Sequence, residues 1–353
     1  MNKNEIIEKL FSENTDEVIS SLITLNEENI FDEDIVKEVL KLFKLTDNDM
    51  IRELIVEYFK KTDYDWLNKE LVRLFASTNA FLRNAAMDIL RNKRGNVINT
   101  LIESMESDDK DIRKLTVDTA YMIDDPRKVE VLKKGLKDED INVVITTVEY
   151  IGELGLKEFK DCVFELYQKA KDPFLKVVSL ETLSVIGDKE ILEKLKPDFQ
   201  NIENVEKVLL FPFFRIVGNF GSEDDIDFLA KSMDTLDTTY LKEITNAIEH
   251  IVQNNNIEEL KEDVYLKIES MLFKDINSIN KYGIITFLGN FKNKELNNTL
   301  KICLRMDDRM LIIGCLEVIG LKGKEQEFKE ELRTVREKFK EDEEIIGLLE
   351  DLM

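Results

Sequence analysis

Apolar residues along this chain recur in steps of three and four, the spacing that lines one face of an α-helix. In "INVVITTVEYIG" (141–152), Ile141, Val144, Ile145, Val148 and Ile151 form one such stripe. Gly152 is placed to stop that helix, since glycine tolerates the left-handed conformation that closes many helices. A second stripe follows in "KEFKDCVFELYQKA", carried by Phe159, Cys162, Val163, Leu166, Tyr167 and Ala170. Asp172 and Pro173 then interrupt the pattern, and the first kind of helix begins again and runs to Gly187. Aspartate before a helix caps free amides, and proline is tolerated in the first turn.

Two helices and two short turns fill about 30–35 residues, the length of one helical hairpin repeat. At that period an apolar close, mostly followed by glycine, returns at Leu25, Phe59, Leu90, Ile123, Ile151, Ile186, Val217, Val252, Leu288 and Ile319. That predicts about ten repeats. No single hairpin can hide its own stripe, so neighbours must stack. The fold expected is all-α, a right-handed α-solenoid running as one array over residues 1–353. Residues 1–30 read as an N-terminal capping repeat and 324–353 as C-terminal capping helices, the latter with Phe328, Leu332, Val335 and Phe339 on one face.

The first helical turns share more than periodicity. "NDMIRELIVEYF", "NAFLRNAAMDIL", "DKDIRKLTVDTAYMI" and "DPFLKVVSLETLSVIG" each set an Asp or Asn before an aliphatic-basic pair and then small residues. Arg52, Arg83 and Arg113 fill the basic slot and Lys176 replaces them later. This pattern resembles HEAT repeats, in particular the short bacterial HEAT-like kind also found in phycobilin lyases. The resemblance implies a scaffold or adaptor that binds another protein. It also brings two alternatives: a lyase-like or chaperone-like subunit acting on a partner's prosthetic group, and a DNA-repair or nucleic-acid-binding solenoid.

Composition bears on that choice. The chain has 353 residues, 43% hydrophobic and 35% charged, with four Pro and thirteen Gly. Few helix breakers in so long a chain favour helix nearly throughout. A net charge of −23 repels phosphate backbones and anionic membrane surfaces, which counts against the nucleic-acid alternative. It keeps a large helical surface soluble and suits a partner with a basic patch. No stretch approaches a membrane span, and the first residues lack the apolar run of a signal peptide. Three scattered cysteines, Cys162, Cys303 and Cys315, form no disulfide framework, so a reducing cytoplasm is expected.

Catalytic chemistry is sparse. His250 is the only histidine, too few for a zinc site. No glycine-rich phosphate loop exists, and Asp224-Asp225 and Asp307-Asp308 stand at helix starts, where carboxylates cap amides. No catalytic residue, cofactor or metal is expected, and the chain reads as a non-enzyme. Recognition is expected on the second helix of each hairpin, which lines the concave face of curved solenoids. The slot three residues before each close, about 200° round from the stripe, holds Glu57, Asp88, Tyr121, Glu149, Ser184, Arg215, His250, Thr286 and Glu317 in turn. Glu57, Asp88, Asp118 and Glu149 are expected to form an acidic stripe. In "VLLFPFFRIVGNF", Pro212 is expected to break and bend the helix and leave Phe211 beside it as an exposed anchor. Solvated helix surface is the plain alternative for each of these residues.

Overall fold

The computed structural model describes residues 3–93 and 95–352, and among them the chain forms α-helices and short 3-10 turns with no strand. The chain divides into two compact units, Met1–Leu154 and Gly155–Met353.

The first unit is five hairpins: α1 (Lys3–Leu10) with α2 (Thr15–Glu27), α3 (Glu33–Leu45) with α4 (Asp49–Lys61), α5 (Asp65–Arg73) with α6 (Ala80–Asn92), α7 (Val97–Ser104) with α8 (Lys110–Met122), and α9 (Lys128–Gly135) with α10 (Ile141–Glu153). The second is six: α11 (Lys160–Lys169) with α12 (Pro173–Ile186), α13 (Lys189–Leu195) with α14 (Lys207–Phe220), α15 (Glu223–Thr235) with α16 (Leu241–Asn255), α17 (Glu262–Ser270) with α18 (Ser278–Gly289), α19 (Leu296–Cys303) with α20 (Arg309–Lys322), and α21 (Lys329–Lys338) with α22 (Glu343–Leu352). Within each unit every even-numbered helix packs on the even-numbered helix before it, giving one continuous layer of second helices. The stripes face inward for the most part, except that Ile141, in the first turn of α10, and Cys162 on α11 are exposed. Val144, Val148 and Ile151 are buried in α10, and Phe328, Leu332 and Val335 are buried at α21.

Most second helices start on a side-chain cap. Asn48, Asn79, Asp109, Asp140, Asp172, Asn277 and Asp308 each accept a backbone N–H from the first turn of the helix that follows. Asp225 completes a capping box with Ser222 at the start of α15. The basic slot is a staple as well. The guanidinium of Arg52 donates to the Thr46 carbonyl at 3.0 Å, that of Arg83 to Ser77 at 2.5 Å and that of Arg113 to Ser107 at 2.8 Å. Each thus ties the first turn of its helix to the carbonyl six residues back. Arg113 goes further: buried, it grips the equally buried Asp138 of the next hairpin with two bonds of 2.7 and 2.8 Å.

Two expectations need correction. Gly152 does not end its helix in a left-handed turn: it is buried inside α10, and Gly155 beyond the helix has the positive φ of +62°. At Gly218 and Gly289 glycine stands near the helix close because the next second helix comes too near for a side chain. A Cβ on Gly218 would stand 2.9 Å from the Cα of Ala247 in α16, and one on Gly289 would stand 2.5 Å from Val318 in α20. Pro212 also fails to break its helix, since α14 runs unbroken from Lys207 to Phe220 with the ring buried in it. Phe213 and Phe214, which follow it, are buried too, and Phe213 stacks on Phe199 with centroids 3.7 Å apart. Burial of those rings offsets the backbone bond that proline removes.

Candidate functional site

The layer of second helices carries the predicted slot in both units, with different chemistry in each. In the first unit Glu57 on α4 is exposed and Asp88 on α6 half-exposed, and Lys60 reaches both, at 2.9 and 3.0 Å. This bridge shows that the two carboxylates are neighbours and leaves the pair with a single excess negative charge. Asp118 departs from the predicted stripe. It is buried, with one oxygen accepting the Tyr150 hydroxyl at 2.9 Å and the other held by Lys114 at 3.0 Å. Burial and then the Asp118 carboxylate push the Tyr150 hydroxyl above its ordinary pKa.

What replaces Asp118 on the surface is aromatic. Tyr121 on α8 stacks on Tyr150 of α10 with centroids 4.0 Å apart and rings 8° from parallel. Glu149 and Glu153 are exposed beside that stack. The Tyr121 hydroxyl bonds to Glu153, which raises its pKa. Of the residues expected here, Glu57, Asp88, Tyr121 and Glu149 come to the surface of one layer and Asp118 supports it from beneath. The sequence reading missed Lys60, Tyr150 and Glu153; Tyr150 and Glu153 lie one and four residues from Glu149, and the slot rule reads only one position per helix.

In the second unit the structure buries Ser184 and brings three of the other predicted residues together. Phe211, Arg215 and His250 line one open groove of about 550 Å³ between α14 and α16. Phe211 is 39% exposed and leans on Tyr240, centroids 4.8 Å apart. Arg215 pairs with Glu243 at 3.0 Å. His250 Nδ1 lies 3.1 Å from Asn219 Oδ1, and the Asn219 amide donates to the Ser184 carbonyl at 2.9 Å. With that amide committed, Asn219 presents its oxygen, so the imidazole donates from Nδ1 and leaves Nε2 for other contacts. The groove continues past Lys242 and Asn246 into a second one of about 570 Å³ between α16, α18 and α20, where Ile279 and Leu321 stand 71% and 85% exposed. The sequence reading missed both. Ile279 lies off the buried stripe in the first turn of α18, the one signal that could have marked it.

Among the described residues no group of three or more His, Cys, Asp or Glu converges as a metal site would require. Among the same residues no helix is long and apolar enough to cross a membrane.

No protein-family model matches the chain. No curated protein matches it either. Solved structures do. Kap121p bound to Nup53p superposes on 99% of this chain with a TM-score of 0.60 at 12% identity. The fold is that of an α-solenoid. A Kap121p mutant carrying three acid-to-lysine replacements aligns over 98% of the chain with a TM-score of 0.52, again at 12% identity. This chain covers 45% and 48% of those two, so it spans about half their length. The E. coli protein YibA aligns over 71% of this chain and 92% of its own at 16% identity, with a TM-score of 0.41.

Proposed function

We propose that this α-solenoid is a non-enzymatic binding scaffold whose first unit takes a basic segment of a partner protein on its layer of second helices. The observation that carries the reading is the Tyr121–Tyr150 stack with Glu149 and Glu153 exposed beside it, on the layer that also presents Glu57 and Asp88. A lysine or arginine side chain gains from an aromatic face and from nearby carboxylates together, each contact contributing about 0.5–1 kcal/mol at an exposed site. Several such contacts spread over α4 to α10 would suit an extended basic segment. Kap121p, which shares the fold, forms a complex with the protein Nup53p, and this supports binding as the use of the surface. The net charge of −23 favours fast encounter with a basic partner.

The test is titration of the full chain with a fluorescent, lysine- and arginine-rich synthetic peptide. Glu57→Lys, Asp88→Lys and Glu149→Lys combined should weaken binding by at least about ten-fold, and Tyr121→Ala alone by a few-fold. Unchanged affinity in the triple variant, with its helical content intact, would refute the reading.

A further inference from the structure

Glycine is the poorest helix former after proline, so one inside a helix lowers stability unless something needs the missing side chain. Several helical glycines here answer to packing: a Cβ on Gly218, Gly289 or Gly314 would stand 2.9, 2.5 or 2.7 Å from a residue of a neighbouring helix. Gly283, in the middle of α18, does not. It is exposed, its φ is not left-handed, and a Cβ there would meet nothing within 4 Å. What it does is line the groove of about 570 Å³ between α16, α18 and α20. Without a side chain at that point the groove stays open, and a ligand can come close to the α18 backbone.

The charged residues lining this groove are Lys242, Glu249 and Glu317. Lys242 is the second residue of α16, and Glu249 lies seven residues further on, about 10 Å of helix rise away. The carboxylates have only neutral partners among the described residues. Glu249 accepts side-chain amides, from Gln253 at 3.4 Å and from Asn290 at 3.5 Å, and Glu317 accepts the Tyr282 hydroxyl at 2.8 Å. Asn290 caps α18 and Tyr282 belongs to it, so each carboxylate is tied to α18, Glu249 from α16 and Glu317 from α20. Two uncompensated negative charges therefore stand on either side of the helix that carries Gly283. Phe287 and Val318 add apolar lining against which a long aliphatic stem can lie.

We propose that this groove takes the lysine or arginine side chains of a basic peptide segment from a partner protein. The segment passes over Gly283, an aliphatic stem lies on Phe287 and Val318, and the cationic heads meet Glu249 and Glu317. The groove shares no residue with the surface proposed for the first unit, and its occupancy does not depend on that surface.

The full chain carrying Glu57→Lys, Asp88→Lys and Glu149→Lys, which removes the first-unit surface, is titrated with a short fluorescent peptide alternating lysine with glycine, and with its glutamate-for-lysine counterpart. The lysine peptide should bind and the glutamate peptide should not. Gly283→Met should weaken lysine-peptide binding at least about ten-fold by filling the groove, and Gly283→Ala should weaken it less. Glu249→Gln with Glu317→Gln should also weaken it at least about ten-fold. Neither Gly283 variant should lower the thermal unfolding temperature, because both residues are better helix formers and a Cβ there meets open space. A loss of binding is then not misfolding. Equal affinity for the glutamate peptide, or unchanged lysine-peptide affinity in Gly283→Met, would overturn the proposal. Lysine-peptide binding that disappears with the three first-unit reversals alone would overturn it and leave the first-unit reading standing. Binding that those reversals leave unchanged and Gly283→Met removes would do the opposite.

Discussion

Lys93 offers the sharpest test of the energetics. It follows α6 at a buried position and donates to Asn68 Oδ1 at 2.6 Å, with no carboxylate of the described residues in direct contact. Burial drives its pKa down from 10.5 to about 8, with Asp63 and Asp65 opposing the shift from a distance. The folded-state pKa is the lower one, so below about pH 8 both folded and unfolded chains carry the proton and the desolvation penalty is fully present. Between about 8 and 10.5 the folded chain has released the proton and the unfolded chain has kept it, so stability rises with pH. The gap corresponds to about 3 kcal/mol in full, with about 2 kcal/mol recovered by pH 9.5. The assay is urea unfolding across pH 7 to 10.5, read by the fluorescence of Trp66, the only tryptophan and a residue of the same unit. Lys93→Met supplies the reference. It shifts the overall level, because Asn68 loses its donor and already has a buried amide nitrogen without a partner. It cannot reproduce the slope. Parallel wild-type and Lys93→Met curves over that range would refute the assigned burial of the ammonium.

Three further outcomes follow from the packing. Gly218→Ala should destabilise the second unit by about 1–3 kcal/mol, because the added methyl meets the Ala247 backbone. Gly283→Ala in α18, where a Cβ would meet nothing, should stabilise it by about 0.5–1 kcal/mol; calorimetry on the two variants checks both signs. Arg113→Met should cost about 3–5 kcal/mol by leaving Asp138 buried without its cation, and Arg113→Met with Asp138→Leu should recover much of that in chemical denaturation.

The repeat frame was legible because it rests on periodicity alone. The apolar closes from Leu25 to Ile319 lie within a turn of the ends of the second helices from α2 to α20. The roles of individual residues within the frame were less so. Gly218 reads the same in sequence whether glycine ends a helix or admits a neighbour, and only the separation of α14 and α16 decides. Asp118 sits close enough to Tyr121 in the helical wheel to be read as surface, yet a tyrosine one repeat on, Tyr150, covers it. Phe211, Arg215 and His250 each fitted an exposed position, but their convergence depends on how α14 lies against α16, which no single helix encodes. The charge of the groove followed from the same geometry. Glu243 is withdrawn by Arg215 while Lys242 is left unpaired, and a count of charges along the sequence shows neither.

Arg113 and the close contacts at Gly218 and Gly289 tie hairpins to their neighbours, and the hydrogen bonds between neighbouring hairpins span sequence separations such as 25 residues for Arg113 with Asp138 and 35 for Asn219 with Ser184. A ribosome therefore delivers both halves of every such bond within one repeat of synthesis, and each hairpin can settle on its predecessor before distant segments exist. Gene duplication meets the same tolerance. Copying one whole period inserts a junction whose two faces already fit, so lengthening the recognition surface calls for no redesign of the core.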